Sequence, residues 1–454
     1  MELGEALRAG DAAAERSDCF EVFARSLDIN WVHHALHVTG SASVRRRKLP
    51  AEYVVWLVIG MALLRDRSID EVVHHLDLVL PALKAAPQHR GATRGAIIAA
   101  RNRLGWGALA LLFMETAQRW AGAAADTQRW RGLAVYGVDG STLLTPDTDD
   151  NEHAFGRPRS GRSDGAYPQL RLVALMVLRG HLLADFAVGP FASGEQTLAH
   201  KLWATLPDHS LCIVDKGFIN YAVFHAIHSH GAHRHWLCRA KTNLKWRVVR
   251  ALGPGDDLVD IPLNRALRKA HPELPESLPA RAIRYQRRGF RVQTLLTSLL
   301  DAHAYPAQEI VELYHERWEL ELGFDEIKTH TLERTETLRS KTPDRVLQEI
   351  WGLAIAYNLV RLEIFRVAQH LNLSARRISY RHALMLIRTF LLSAWLASPG
   401  VLPRRLERLH NDISLLVLPE RRARSYPRVV KIKMSGYRKK PVPKRSSTFR
   451  KPLK

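Results

Sequence analysis

The first part of the chain alternates apolar and polar positions at helical spacing. Pro50 suits the first turn of a helix, and dense apolar periodicity follows it. Ser68 with Glu71 forms a capping box, in which each side chain bonds to the other residue's backbone N–H at a helix start. We therefore predict an all-α N-terminal domain over residues 1–128, with helices at Ala51–Arg65, Ser68–Val79, Thr93–Arg103 and Gly107–Ala124.

From Gly132 onward the apolar pattern changes to short runs separated by Gly, Pro and polar turns. Five runs have the pattern of strands: LAVYGVDGSTL, LRLVALMVL, HLLADFAVGPF, LCIVDKGF and HWLCRAKTN. With helices predicted at 193–206 and 221–230, three consecutive strands followed by alternation predict an α/β fold with a mixed five-stranded sheet. Further β-like runs occupy residues 244–300, which we interpret as a β-rich insertion in a domain over residues 129–372.

The last third of the chain returns to helical spacing and ends in a run of positive charge. Helices are predicted over 309–328, 343–371 and 379–396, so that residues 373–420 form C-terminal helices. Residues 421–454 contain fourteen Lys or Arg, four Pro and no acid, a composition that predicts a basic disordered tail.

The charge of the chain indicates the class of its partner. Lys plus Arg number 67 against 45 Asp plus Glu, so the 454 residues have a net charge of +22 and a pI of about 10.2, which predicts a polyanion and above all nucleic acid. Three cysteines without a CxxC spacing support neither a disulfide framework nor a zinc site. The N-terminus lacks a signal-peptide apolar core, and the longest apolar run, Tyr53–Leu64, is too short to cross a bilayer. We therefore expect a cytoplasmic protein without a membrane partner.

One stretch, YHERWELELGFDEIK over residues 314–328, has an unusual helical face. Tyr314, Arg317, Glu321 and Lys328 stand at offsets of 0, 3, 7 and 14. At about 100° per residue these positions fall within a stripe roughly 60° wide. Two cations and a phenol around one carboxylate suit a surface that holds a metal ion with Glu321 and binds phosphate oxygens with Arg317 and Lys328.

Two aspartates end apolar strands elsewhere in the chain. Asp139 lies in VYGVDGSTL, where Gly140 leaves room for the close approach of a phosphate backbone, and Asp215 lies in CIVDKGF. Open α/β sheets bind ligands at strand ends, so if these two strands are neighbours, Asp139, Asp215 and Glu321 form a three-carboxylate site. Such a site holds two divalent cations about 3.5–4 Å apart. Carboxylate oxygens without His or Cys favour Mg²⁺.

Each of these acids taken singly also has a simpler role. An Asp at a strand end is commonly a turn former or a helix cap. Glu321 could instead belong to a surface ion pair, and Asp325, one turn further on, is a rival ligand. The combination of two strand-end aspartates with the offsets of the later helix is what favours the metal site.

The residues of this site resemble those of the DDE transposases of the insertion-sequence-4 family. The third acid of that family lies in a Tyr-x2-Arg-x3-Glu-x6-Lys signature, and this chain matches every spacing of it while VDGSTL and VDKGF surround the two aspartates. The segment LRSKTPDRVLQEIWGLAIAYNLVR is similar to the family's continuation, and LPAEYVVWLVIGMALLRDRSIDEVVHHL is similar to its N-terminal domain. The resemblance covers roughly residues 25–400.

The resemblance implies a ribonuclease-H-like core in an enzyme that cuts double-stranded DNA at the ends of an insertion sequence and joins the 3′-hydroxyl ends to target DNA. It implies that the catalytic residues, which also bind two Mg²⁺ ions with Mn²⁺ able to substitute, are Asp139, Asp215 and Glu321. It implies that the residues holding phosphates near the cleaved end are Tyr314, Arg317 and Lys328. It further implies DNA-end binding by the helical domain, a homodimer on paired ends, and association with the nucleoid in a bacterial cytoplasm.

The resemblance stops at one position, and two other functions stay open. Members that pass through a DNA hairpin are expected to have a Trp just before the Leu-Leu-Thr strand, where this chain has Gln293, so the resemblance does not extend to a hairpin step. A metal-dependent DNA nuclease could use the same carboxylates, but it would not join a supplied 3′-hydroxyl end. A non-catalytic DNA-binding descendant would keep the positive charge and lack the metal-dependent chemistry.

Overall fold

The computed structural model describes most of the chain between residues 27 and 420. The described residues are 27–42, 49–79, 92–160, 163–164, 167–263, 265–270, 272, 274–287, 290–333, 337–394 and 401–420. The predicted basic tail, 421–454, lies outside the described residues, as do the first 26 residues of the predicted helical domain.

Helices fill the described part of the chain before the first strand. They are α1 Ile29–Val38, α2 Ala51–Leu63, α3 Ile69–Val79, α4 Arg94–Leu104 and α5 Gly107–Thr127. The predicted capping box is confirmed, because Glu71 Oε2 accepts from the Ser68 N–H at 2.7 Å and Ser68 Oγ accepts from the Glu71 N–H at 3.2 Å. Helix α1 was not predicted; it begins after Asp28, whose side chain accepts from the Asn30 N–H.

A mixed sheet of nine strands lies at the centre of the described residues. In chain order the strands are β1 Ala134–Leu144, β4 Gln169–Val177, β5 Leu183–Pro190, β6 Ser210–Val214, β7 Arg234–Arg239, β8 Arg247–Gly253, β9 Asp256–Pro262, β10 Ser277–Tyr285 and β11 Gln293–Thr297. Their order across the sheet is β5-β4-β1-β6-β7-β11-β10-β9-β8, and a separate small hairpin joins β2 Arg159–Ser160 to β3 Ser163–Asp164. Strand β1 is antiparallel to β4 and parallel to β6, and β6 is parallel to β7.

The five predicted strands are β1, β4, β5, β6 and β7, and they are neighbours in the sheet. The prediction of a five-stranded sheet is nevertheless wrong for the sheet as a whole. Strand β11 of the insertion pairs with β7, with Leu296 opposite Cys238, so the insertion extends the same sheet by four strands. An open strand edge presents unpaired N–H and C=O groups, and pairing with β11 satisfies them. The apolar pattern identified these strands but carried no information on which edge they join.

The remaining helices lie among and after the strands. They are α6 Asp149–Phe155, α7 Glu195–Ala199, α8 Tyr221–Ser229, α9 Arg265–Ala270, α10 Ala307–Tyr314, α11 Trp318–Asp325, α12 Pro343–His370, α13 Tyr380–Ala394 and α14 Leu402–Ser414. The single α-helix predicted over 309–328 is wrong in detail, since a 3₁₀ turn at His315–Arg317 separates α10 from α11 and a π turn at Glu326–Thr331 follows. The uniform 100° step assumed for the functional face therefore does not apply along its whole length.

The N-terminal helices share one core with the rest of the protein. Helix α12 packs on α2 and α5, and most of its side chains are buried. The contact with α2 is closest at Gly352, where a Cβ would lie 2.6 Å from Val58 Cγ1 and 3.0 Å from the Val58 carbonyl oxygen. The absence of a side chain at Gly352 thus lets the two helices approach. The predicted domain boundaries stay a prediction.

A helix that spans a membrane must be both long and apolar. No single described helix is long and apolar enough to cross a bilayer. The consecutive helices α4 and α5, bent by 62° relative to each other, reach that length and composition only when taken together.

Candidate active site

Pairing of two parallel strands brings the first two predicted acids together. Val138 of β1 is opposite Val214 of β6, so Asp139 and Asp215 follow at adjacent points of the sheet. Asp139 Oδ1 accepts from the Gly140 N–H at 2.8 Å. Asp215 Oδ1 accepts from the Gly217 N–H at 2.6 Å and thereby caps a 3₁₀ turn, which is the simpler role considered for a strand-end aspartate. Since the cap involves one oxygen, it leaves the second oxygen of Asp215 for another partner.

Arg317 connects the third predicted acid to this pair. Its guanidinium lies 2.9 Å from Glu321 Oε1 and 3.8 Å from Asp139 Oδ2. Burial alone lowers the pKa of Arg317, but the neighbouring Tyr314, Glu321 and Asp139 raise it overall, so this side chain is a permanent cation. In the described residues no group of three or more His, Cys, Asp or Glu side chains is arranged to hold a metal ion. In this conformation the guanidinium supplies the positive charge between the acids.

The electrostatic surroundings of Asp139 are those of a site short of positive charge. The pKa of the Asp139 carboxyl is raised to about 6, mainly by burial and to a smaller extent by the charges of Asp215 and Glu195, while the Gly140 N–H and Arg317 lower it. These donors are carboxylate oxygens, which hard divalent cations prefer. A bound cation would relieve the repulsion that raises this pKa. The residues present therefore fit divalent cations in charge and donor type.

Sequence reasoning missed Glu195, a fourth acid beside this site. It lies at the start of α7, where its carboxylate is 3.3 Å from the Arg171 guanidinium. A Cβ on Gly140 would lie 2.6 Å from Glu195 Cδ, so the room that Gly140 leaves is taken by this side chain. The approach of a phosphate backbone to Gly140 stays a prediction, and it would require the Glu195 side chain to move. The sequence offered one weak signal, an acid in the first turn of a helix that follows a strand.

The other predicted residues differ in exposure. Tyr314 is buried at 8% exposure, which raises its pKa to about 12, and its ring lies 6.0 Å from that of His315. Lys328 is half-buried within the π turn. The rival ligand Asp325 accepts from Thr329 Oγ1 at 2.6 Å and lies 3.6 Å from His330, so both of these partners belong to its own helical segment. Of the two helix acids, Glu321 is thus the one joined through Arg317 to Asp139.

The helical segment over residues 314–328 is held on its opposite side by half-buried and buried ion pairs. Both Glu316 carboxylate oxygens accept from the Arg179 guanidinium at 3.0 Å. Glu326 accepts from Arg361 Nε at 2.8 Å and from the Tyr357 hydroxyl at 2.9 Å. Of their partners, Arg179 lies in the hairpin between β4 and β5, and Tyr357 and Arg361 lie in helix α12. They therefore fix the helix that presents Glu321 to the sheet.

His181 links these ion pairs. It is 1% exposed and its Nδ1 accepts from the Arg361 guanidinium at 2.7 Å, while its Nε2 lies 2.9 Å from Glu319 Oε2. An Nδ1 that accepts requires the neutral tautomer with the proton on Nε2, which then donates to Glu319. Burial, with Arg361 nearby, lowers the pKa of His181 to about 4, in agreement with a neutral ring. Three acids lie opposite the predicted functional stripe: Glu316, Glu319 and Glu326. Their spacing was a signal in the sequence for this buried network, which was not predicted.

The neutral state of His181 predicts a loss of stability in acid. The unfolded chain takes up this proton near pH 6.5 and the folded protein only near pH 4, so the stabilisation is complete above 6.5 and falls as the pH is lowered towards 4. At about 1.4 kcal/mol per pH unit the loss is on the order of 3 kcal/mol. We expect His181→Asn, which tolerates the left-handed φ of 58°, to show a smaller loss in urea unfolding between pH 7.5 and pH 4.5. His235 and His315, whose pKa burial also lowers to about 4, are present in both proteins, and an equal loss would contradict the role of His181.

Comparisons with known proteins cover most of the chain. Residues 17–114 match the model of the insertion element 4 transposase N-terminal family, and residues 130–359 match that of the transposase DDE domain. The transposase InsG for insertion sequence element IS4, from Escherichia coli strain K12, is 37% identical over 409 residues, which cover 89% of this chain and 90% of that protein. InsZ of the same strain is 33% identical over 233 residues, covering 50% of this chain and 74% of InsZ.

A chain in one solved structure is similar to this protein at low sequence identity. It belongs to the cryo-EM structure of a piggyBac transposase synaptic complex with hairpin DNA, at 11% identity and a TM-score of 0.40, covering 90% of this chain and 86% of that chain. This score is too low to support a conclusion about the present protein. The two family models and the identity to InsG over nearly the whole chain are sufficient, and they confirm the family predicted from the signature: the chain belongs to the DDE transposases of the insertion-sequence-4 family.

Proposed function

We propose that this protein cuts double-stranded DNA at the terminal repeats of an insertion sequence and joins the freed 3′-hydroxyl ends to target DNA. The observation that carries the proposal is the pairing of Val138 with Val214, which makes Asp139 and Asp215 neighbours, together with the Arg317 contacts that reach Glu321. Arg317 thus contacts two of the three acids, and the third, Asp215, follows the strand beside that of Asp139. The net charge of +22 supports a polyanionic substrate.

The order of the first five strands supports a ribonuclease-H-like core. Strands β5, β4 and β1 are antiparallel neighbours, and β1, β6 and β7 are parallel neighbours. In this core the two aspartates belong to the central parallel pair, and the glutamate belongs to a helix packed against the same strands. Gly137 of β1 supports that packing, since a Cβ there would lie 2.8 Å from Leu320 Cδ1 of α11.

In the proposed site, Asp139, Asp215 and Glu321 would hold two divalent ions, Mg²⁺ with Mn²⁺ able to substitute. When bound, such ions activate an attacking hydroxyl and stabilise the leaving oxygen. Asp139 must give up its proton to serve as a ligand, and its raised pKa means that protons compete at this position near pH 6. Glu195 adds negative charge beside them.

Arg317 has two successive roles in this proposal. Without DNA its guanidinium neutralises Glu321 and Asp139; with DNA it donates to phosphate oxygens, for which its planar fork is suited. Lys328 would neutralise a second phosphate. Because Tyr314 is buried, we assign it to the support of Arg317 rather than to direct phosphate contact in this conformation.

The chemistry consists of two displacements at phosphorus in the same site. Water attacks the phosphodiester at the end of the element, the bond to the 3′-oxygen breaks, and that oxygen leaves as a 3′-hydroxyl. This hydroxyl then attacks a target phosphodiester, forming a new bond to phosphorus while the target's own 3′-oxygen leaves. No covalent bond to the protein is formed at either step. We further propose a homodimer on paired DNA ends, end binding by residues 1–128, and action in the bacterial cytoplasm.

A joining reaction tests this function. The protein is incubated with Mg²⁺ or Mn²⁺, DNA carrying the repeats that flank its own gene, and a supercoiled target plasmid, and the products are sequenced. We expect cuts at the repeat ends and covalent joining of the 3′ ends to the plasmid. Cutting without joining would favour a metal-dependent nuclease. Retained DNA binding without metal-dependent cutting would favour a non-catalytic descendant.

A further inference from the structure

A second cationic feature lies apart from the carboxylates. A cavity of about 650 Å³ opens between helices α3 and α4 and the segment 339–345 that leads into α12. Among the described residues that line it, Asp70 is the one acid, and the cations are Arg94, Arg101, Arg339, Lys341 and Arg345. Five cations from three separate parts of the chain give this cavity a positive charge, which favours an anionic ligand.

Two of these cations build the wall of the cavity. Arg101 donates to Gln348 Oε1 at 2.8 Å and to Ser340 Oγ at 3.0 Å, and Arg339 donates to the backbone carbonyl oxygens of Arg65 and Arg67. These acceptors are neutral. The Glu349 carboxylate acts electrostatically on both guanidinium groups, but it is shared with Arg65, to which it is paired at 3.0 Å. The pKa of Arg101 is lowered to about 10, mainly by burial and also by the neighbouring Arg345, while Glu349 opposes this change. Positive charge at this wall is therefore in excess.

The other three cations are available to a ligand. Arg94 and Lys341 are exposed, and Arg345 is half-buried with its Nε bonded to Thr342 Oγ1 at 2.8 Å. None of the three is within ion-pair distance of a carboxylate in the described part of the chain. Ile97 and Ile98 add an apolar side to the same cavity. Cations without a carboxylate partner beside a small apolar wall match the phosphate and the deoxyribose of one DNA strand.

The cavity lies within reach of DNA bound at the carboxylates. Leu144, at the end of β1, forms a bridge with Thr337, two residues before Arg339. Leu144 is the fifth residue after Asp139 along β1. At 3.4 Å per residue, their backbones are about 17 Å apart. One turn of duplex DNA extends about 34 Å. A duplex whose end is at the carboxylates can therefore pass the cavity within its first turn.

We infer that this cavity binds the phosphodiester backbone of duplex DNA, with Arg94, Lys341 and Arg345 as the phosphate contacts. The inference rests on the proposed function, because it assumes that the same duplex occupies the carboxylate site. It places further DNA contacts where helices α3 and α4 meet residues 339–345. These contacts are in addition to those proposed for Arg317 and Lys328.

The salt dependence of DNA binding tests this inference. The variant Arg94→Ala/Lys341→Ala/Arg345→Ala is titrated in EDTA with a 40-base-pair duplex carrying the terminal repeat, at several salt concentrations. Each lost phosphate contact reduces the slope of log K against log salt by about 0.9, so we expect a reduction of about 2 to 3. The matched control, Arg381→Ala/Arg404→Ala/Arg408→Ala, removes equal charge from exposed positions of α13 and α14 and should keep the slope. An unchanged slope in the first variant, or an equal reduction in both, overturns the inference.

Cross-linking gives a second readout that does not depend on the stability of the triple variant. Lys341→Cys introduces an exposed thiol, whereas Cys212 and Cys238 are buried. The same duplex is prepared with thiol-reactive groups on single backbone phosphorothioates. We expect cross-links from Lys341→Cys within one turn of the cleavage position, and background from the unsubstituted protein and from Arg408→Cys. Background alone from Lys341→Cys overturns the inference even if the protein cuts and joins DNA; cross-linking by a protein that does not cut DNA would instead contradict the proposed function.

Discussion

Replacing Glu321 by Gln is expected to reduce metal-dependent DNA cleavage by about 10³-fold or more while DNA binding is retained. A carboxylate that holds a catalytic cation contributes several kcal/mol to the transition state, and each 1.36 kcal/mol changes the rate tenfold. The amide keeps the shape of the side chain and loses its charge. Because the Glu321 side chain is 42% exposed, its pairing with Arg317 should contribute little to stability. Single-turnover cleavage and a binding titration of the same preparation measure the two effects.

The matched control for this prediction is Asp325→Asn. Asp325 lies four residues further along the same helical segment and its carboxylate is 52% exposed, but its hydrogen bond goes to Thr329 instead of the site. We expect near-normal cleavage from this variant. If Glu321→Gln retained cleavage and Asp325→Asn lost it, the metal ligand would be Asp325 and not Glu321. Asp139→Asn and Asp215→Asn should behave as Glu321→Gln does.

The substitution Arg361→Leu is expected to destabilise the protein by about 3–5 kcal/mol, the range for breaking one side of a buried ion pair. Arg361 is 1% exposed and bonds to Glu326 and His181, so its loss leaves the Glu326 carboxylate buried without its main cation. Urea unfolding measures the change in the free energy of unfolding. In the preparations that fold, cleavage should fall as well, because Glu326 holds the helix that carries Glu321.

A second substitution separates the ion pair from simple packing. In Arg361→Leu/Glu326→Gln the buried negative charge is gone, and the Gln amide oxygen can still accept from the Tyr357 hydroxyl. We expect the double variant to recover a large part of the lost stability and of the cleavage rate. Equal destabilisation of the single and double variants would mean that Arg361 acts through its packing alone. The exposed pair Arg131 with Glu309 is a control, and Arg131→Leu should have a much smaller effect.

Local patterns were sufficient for most of the elements and for the family, although helix α1 and the break at His315–Arg317 were not predicted. Helical periodicity with the Ser68–Glu71 capping box, and the short β-branched runs after Gly132, depend on interactions within a few residues, which a sequence displays directly. The same holds for the Tyr-x2-Arg-x3-Glu-x6-Lys spacing, which identified the family before any geometry was known. The excess of Lys and Arg also predicted a polyanionic partner.

Contacts between distant parts of the chain were decided only by the tertiary structure. The insertion strands extend the main sheet because β7 had an open edge, and no local pattern records which edge a strand will meet. The approach of Glu195 to Gly140, the buried pairs of Glu326 with Arg361 and of Glu319 with His181, and the cationic cavity each join segments tens to hundreds of residues apart. The sequence by itself determined which residues carry the charge. Packing decided which of those charges meet, because burial and the distance between charges set the energy of each pair.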